Sequence, residues 1–173
     1  LIVVEVTGID HPVSDAIAAQ LRIDDDGYIP GLARLTERLH NHGAKVFVQL
    51  HHAGGQTTAR KTGGLQPVVP SQAESGYSAR NPRVLTTEEV ETLVDKFVRG
   101  AYRARKAGFD GVELHGAHGY LLEQFMSSRT NSRTDRYGGS LSARLQFPLE
   151  IIEGIRDELG EGYSLSFRMT ADE

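Results

Sequence analysis

The chain has 173 residues, enough for one domain with a sizeable core. Nineteen basic against 23 acidic residues leave a formal charge of −4 with both signs dispersed, so neither a nucleic-acid surface nor a charged tail is indicated. There is no cysteine, which excludes disulfides and thiolate metal sites, and no apolar run approaches the ~20 residues of a membrane span.

Leu1 to Thr7 is an apolar run with Glu5 embedded, predicted as a strand. It opens without an initiator Met, so both ends are expected to be cut and a targeting sequence could lie outside the chain. Gly8 to Tyr28 is polar and irregular. Pro30 suits a first helical position, Leu32, Leu35 and Leu39 follow at helical spacing, and Gly43 marks the stop. Lys45 to Leu50 reads as the next strand. His51 to Leu85 is rich in Gly, Pro, Ser and Thr, and loops of that length usually carry function or disorder. Thr86-Thr-Glu-Glu89 has the form of a capping box, followed by Val90, Leu93, Val94, Phe97, Val98 and Ala101 on one helical face. Gly108 ends that helix and Asp110 to His115 is a third strand. Ser140 is a candidate N-cap for a helix packed by Leu145, Phe147, Leu149, Ile152 and Ile155. Tyr163 to Thr170 is a fourth strand.

Strands and helices alternate, which predicts an α/β fold with a parallel sheet. Strands of an open sheet buried on both faces should be almost continuously apolar. Here Thr7, Gln49, His115 and Arg168 stand near the strand C-termini, with Glu5, Glu113 and Ser166 two residues before three of them. A barrel mouth accounts for this pattern, and no glycine-rich dinucleotide fingerprint follows any strand. The expectation is a (β/α)8 TIM barrel of which residues 1–173 form the central half, strands 2 to 5, as part of a single domain.

Residues 109 to 139 carry the chemistry. The strand Val112 to Leu114 runs into His115, His118 and Tyr120, at the strand end where barrels place their active sites. Two imidazoles can hold an oxyanion, and a phenol can give up a proton. A metal-dependent hydrolase using His51, His52, His115 and His118 is an alternative, as is a barrel without catalysis. Arg133-Thr-Asp-Arg-Tyr137 and Arg144 read as scaffold, and Glu113 as a structural carboxylate that needs a partner.

His115-Gly-Ala-His118-Gly-Tyr120, Asn131-x-Arg-Thr-Asp-x-Tyr-Gly-Gly-Ser140 and Val48-Gln49-Leu-x-His52-Ala-Gly together resemble the old yellow enzyme family of FMN-dependent ene reductases. The flavour is that of the bacterial branch shared with 2,4-dienoyl-CoA reductase and trimethylamine dehydrogenase. The resemblance implies FMN over the barrel mouth, NADH or NADPH as hydride donor and a small α,β-unsaturated substrate. Position by position, it implies His115 and His118 on the substrate carbonyl and Tyr120 as the acid. It implies cofactor contacts from Gly8, Gln49, His115 and Arg168, and no resident metal in this region. Branch relatives with an iron–sulfur cluster in a C-terminal region are a second possibility. The same resemblance points to a cytoplasmic protein, compatible with a homo-oligomer. Gly55-Gln56 departs from the Arg that the family often carries after Ala-Gly, and Ser142-Ala143 from a frequent Glu-Asn.

Overall fold

A computed structural model describes residues 1–73 and 76–171. Five parallel strands form one sheet in the order β2-β1-β3-β6-β7. They are β1 (Ile2–Gly8), β2 (Leu21–Arg22), β3 (Val46–His51), β6 (Gly111–Gly116) and β7 (Ser164–Met169). Between them lie helices α1 (Ile29–His40), α2 (Thr87–Lys106), α3 (Leu121–Met126), α4 (Leu141–Arg144) and α5 (Gln146–Leu159). The long 51–85 segment contributes a separate two-stranded ladder, β4 (Val68–Val69) with β5 (Arg83–Val84).

The alternation of each strand divides the sheet into two chemistries. Val46, Val48, Leu50, Val112 and Leu114 are buried against Val90, Leu93, Phe97, Ala101 and Ala104 of α2 and Phe147, Ile151 and Ile155 of α5. Each fully buried Val, Leu or Phe there contributes roughly 1.5–3 kcal/mol relative to exposure. The opposite face carries Phe47, Gln49, His51, Glu113, His115, Ser166 and Arg168, none of them part of that core cluster. A sheet with a helix-packed face and a polar face has the layering of a barrel wall and lacks the two helical layers of an open sheet.

The sequence-derived helix boundaries have visible causes. Thr86 accepts from the Glu89 backbone N–H at 3.2 Å, and the Glu89 carboxylate accepts from the Thr86 N–H at 2.8 Å, closing the capping box. Ser140 caps Ala143 at 3.2 Å. At the strands' N-terminal end, Asp110 accepts from Val46 N–H (2.9 Å), Lys45 Nζ (2.8 Å) and His40 Nε2 (2.8 Å). Burial raises its pKa, but those hydrogen bonds outweigh burial and hold it below the usual carboxylate range. One carboxylate thus clamps α1, β3 and the start of β6. Leu149 departs from expectation, being 45 % exposed: Phe147, Ile151, Ile155 and Leu159 recur at helical spacing and take the inner face, leaving Leu149 on the outer one.

The β1 edge holds the other departure. Val4 is level with Val48, yet Thr7 is level with Leu50, so β1 spends three residues where β3 spends two. This bulge leaves Glu5, Val6 and Gln49 without a Cα partner across the β1–β3 ladder. Thr7 therefore sides with Leu50 and the core, and it is Gly8 that stands level with His51. The expected row of Thr7, Gln49, His115 and Arg168 loses its first member.

Candidate active site

The open face rises in rows. Gln49 pairs with Glu113, which pairs with Ser166; two residues higher, His115 is level with Arg168. His51 extends β3 beside His115, with ring centroids 5.4 Å apart. Beyond β6 the chain turns sharply, with φ of 60° at His118 and 71° at Gly119. The left-handed region is uncommon for a side chain such as His118 and marks a conformation imposed by its surroundings. The turn folds His118 back to 5.1 Å from His115 and sets Tyr120 4.9 Å from His115 and 4.4 Å from His51. The expected trio is thus assembled, with His51 as a fourth ring.

Gln124 builds that turn. This residue, 1 % exposed, donates through Nε2 to Gly119 O at 2.6 Å and accepts through Oε1 from Gly55 N–H at 3.1 Å. Glu123 accepts from Gly119 N–H at 2.6 Å. Gly54, at φ 57°, has no room for a side chain, since a Cβ would lie 2.4 Å from Gln124 Oε1. Glycine is what lets the 53–55 backbone approach. Neither Gln124 nor Glu123 was expected from the sequence; the signal available was a polar pair inside the apolar run Leu-Leu-Glu-Gln-Phe-Met.

The electrostatics favour neutral imidazoles. Burial, then the neighbouring His118 and Arg168, lower the His115 pKa to about 4. Burial, then His115 and His52, press His51 well below its ordinary value. Burial also lowers His52 to about 4. At neutral pH the His115 and His51 rings are hydrogen-bond donors and acceptors without charge.

Gln49 is fully buried and donates through Nε2 to Glu113 Oε1 at 2.6 Å. Glu113 thereby finds its partner in Gln49, leaving Arg168 exposed on the same face. Gln49 Oε1 and His115 Nδ1 are buried with no partner among the described residues. Such orphans are costly and call for a ligand or water. Gly8 is buried, and the space over its Cα is filled by Ser14, Gln20 and Asp15. Its carbonyl accepts from Ile23 N–H at 3.0 Å, leaving little of this residue toward the mouth. The four-histidine metal set is not brought together: His51 and His52 alternate to opposite sides of β3, and the described residues contain no metal-binding group of three or more His, Asp or Glu.

The Arg133–Tyr137 block is scaffold, as expected, and Asn131 is part of it. Asn131 donates to Phe125 O (2.6 Å) and Tyr137 O (2.7 Å) and accepts from Arg133 N–H (3.1 Å). Arg133 donates to Pro70 O and Leu85 O, stitching the long loop down. Arg144 donates to Met126 O at 2.8 Å. Gln56 is held in the loop by Gly76 O (2.6 Å) and Ser78 Oγ (2.6 Å).

Residues 1–173 match the model of the NADH:flavin oxidoreductase / NADH oxidase family, and the chain belongs to that family. It is 53% identical over 173 residues to an NADH oxidase of Thermoanaerobacter brockii, covering 100% of this chain and 27% of that protein. Morphinone reductase superposes with a TM-score of 0.89 at 31% identity, over 96% of this chain and 48% of its own. An old yellow enzyme homologue from Zymomonas mobilis superposes at 0.86 and 30% identity, over 96% and 49%. The chain therefore spans about half of these solved chains and about a quarter of the NADH oxidase, and its parallel α/β arc is that of a partial TIM barrel. No described helix is long and apolar enough to cross a membrane.

Proposed function

We propose that the protein carrying this chain is an FMN-dependent NAD(P)H reductase of the activated C=C bond in α,β-unsaturated carbonyl compounds. The observation that carries the reading is the packing of His115, His118 and Tyr120 at one strand end, above the unpaired Oε1 of Gln49. The donor set fits a flavin. Nε2 is already held by Glu113, and the unpaired Oε1 of Gln49 can accept, which suits the imide N–H of a flavin pyrimidine edge. The exposed guanidinium of Arg168 suits the side of the ring that becomes anionic on reduction. The bulged backbone at Glu5–Val6, opposite Gln49, offers the contact first expected of Gly8.

Bound FMN, reduced by a nicotinamide, supplies the hydride. The chain's own residues do the rest. His115 and His118 donate N–H bonds to the substrate carbonyl oxygen, where negative charge collects as hydride reaches the β-carbon. Neutral imidazole at His115 keeps an N–H for this purpose without a fixed charge in the mouth. Tyr120 delivers the proton to the α-carbon, and Gln124 holds the turn that aims it.

A second reading rests on the NADH oxidase relative, of which this chain covers only 27%. In that reading the barrel is one part of a larger enzyme that also holds an iron–sulfur cluster, and iron and sulfide analysis of the complete protein tests it. The first experiment is the visible spectrum of the complete protein before and after anaerobic NAD(P)H, then after 2-cyclohexenone. Bleaching of a flavin band by the nicotinamide and its return with the enone is expected. A colourless protein that takes up no added FMN would sink the reading.

A further inference from the structure

His52 is the residue after the mouth-facing His51, and strand alternation turns it to the other side of β3. It lines a cleft of about 320 Å³ between the end of β3 and α2, apart from the mouth. The ring is 2 % exposed. Its Nδ1 accepts from the Gly54 N–H at 3.1 Å, so the proton of the neutral ring sits on Nε2. That Nε2–H is buried and has no partner among the described residues. A native fold seldom leaves such a donor unpaired, because its desolvation is then uncompensated.

The rest of the cleft defines what would pair with it. Val13, Val68, Leu85 and Leu93 give apolar walls. The charges along it are Asp10, Glu89, Arg83 and Lys96, two of each sign. They are matched to one another, Lys96 to Asp10 at 2.6 Å and Arg83 to Glu89 at 2.7 Å. An anion entering would meet a neutralised lining and lose its hydration without a free cation in return. A neutral molecule with an apolar body and one acceptor oxygen loses little and satisfies the donor. We propose that this cleft is a second binding site, for a small neutral carbonyl compound whose oxygen accepts the His52 Nε2–H.

The site does not rest on the flavin reading, since it uses residues on the far side of β3. The test uses the complete protein as isolated and cyclohexanone, a saturated ketone with no C=C bond to reduce. The ring ¹⁵N–¹H signals of His52 are followed by NMR, with methylcyclohexane and cyclohexanecarboxylate as the apolar and anionic comparisons. Thr92 is exposed at the rim of the cleft, so Thr92→Trp blocks entry without touching the core or the mouth. A saturable shift of the His52 Nε2 signal with the ketone, weaker with the other two and lost in Thr92→Trp, is expected. Three results overturn the proposal: no shift, a shift that persists in Thr92→Trp, or carboxylate binding as tightly as ketone. None of them changes the flavin spectrum, so the flavin reading is judged separately.

Discussion

Replacing Gln124 by Leu tests whether catalytic geometry depends on a residue that touches no reactant. Leucine keeps the volume and the apolar surroundings but strands Gly119 O and Gly55 N–H, which Gln124 serves at 2.6 and 3.1 Å, and drops a longer 3.5 Å bond to Ala53 O. Each buried orphan costs about 1–3 kcal/mol, and Gly119 is near enough to water to recover part, so the whole cost is about 2–4 kcal/mol. The larger effect falls on the His118–Tyr120 turn, whose left-handed backbone is held from one side by these bonds. A shift of ~1 Å in an acid's position costs about a hundredfold in rate. The assay is stopped-flow reoxidation of the reduced complete enzyme by 2-cyclohexenone, beside urea unfolding of the same variant. Reoxidation slowed by about a hundredfold, with reduction by NAD(P)H within a few-fold of normal, is expected. If stability falls as stated while reoxidation stays near normal, Gln124 is a brace for the fold and the positioning argument fails.

Other perturbations probe the remaining parts. Tyr120→Phe removes the proposed acid and should slow enone-driven reoxidation by roughly 10²–10⁴-fold while leaving flavin reduction intact; equal slowing of both half-reactions would count against its role. Acid should loosen the fold through His52. Its folded pKa of about 4 lies below the ordinary 6.5, so the unfolded chain binds the proton first and stability falls as pH drops from 6.5 to 4. The loss is about 3 kcal/mol over that window, read as a falling urea midpoint that is flatter in His52→Asn. Arg168→Ala should weaken FMN retention and lower the flavin potential by roughly 20–40 mV, the equivalent of about 1–2 kcal/mol, measured by dye-coupled titration. Asn131→Ala strands Phe125 O, Tyr137 O and Arg133 N–H and should cost about 2–4 kcal/mol in urea unfolding, with the spectrum of bound flavin unchanged.

What could be read from the sequence follows what is local. The capping box at Thr86–Glu89 and Pro30 in the first turn of α1 are short-range devices and stand as read, whereas Ser140 caps the short α4 and α5 begins separately at Gln146 with no side-chain cap. The four longer strands were legible to within one residue because Val46-x-Val48 and Val112-x-Leu114 face a helix layer that only apolar side chains satisfy, while the two-residue strands β2, β4 and β5 were too short to read. The bulge in β1 was not legible. Ile2 to Thr7 shows no break, and only the pairing with β3 creates one, so the period-two assignment failed from Thr7 onward. Helix α3 was read as loop because Leu121–Met126 has just six residues, too few for a periodicity. His115, His118 and Tyr120 were legible as a group through their spacing. The bond of Gln124 to Gly55 and the ring contact of His51 were not, since each depends on a fold-back between β3 and the turn after β6, and the local bond of Glu123 to Gly119 falls on a turn with no periodic signal.

The β1 bulge separates two properties that usually fail together. Removing one residue from the Glu5–Val6 pair would leave Thr7 opposite Leu50 and Gly8 opposite His51, since those pairings already lie beyond it. The ladder would run unbroken and the core would keep every contact. Only the loose stretch of main chain beside Gln49 would vanish. A single-codon deletion there is therefore the kind of change that would keep the sheet and core while removing main chain at the mouth, and a screen for solubility alone would pass it.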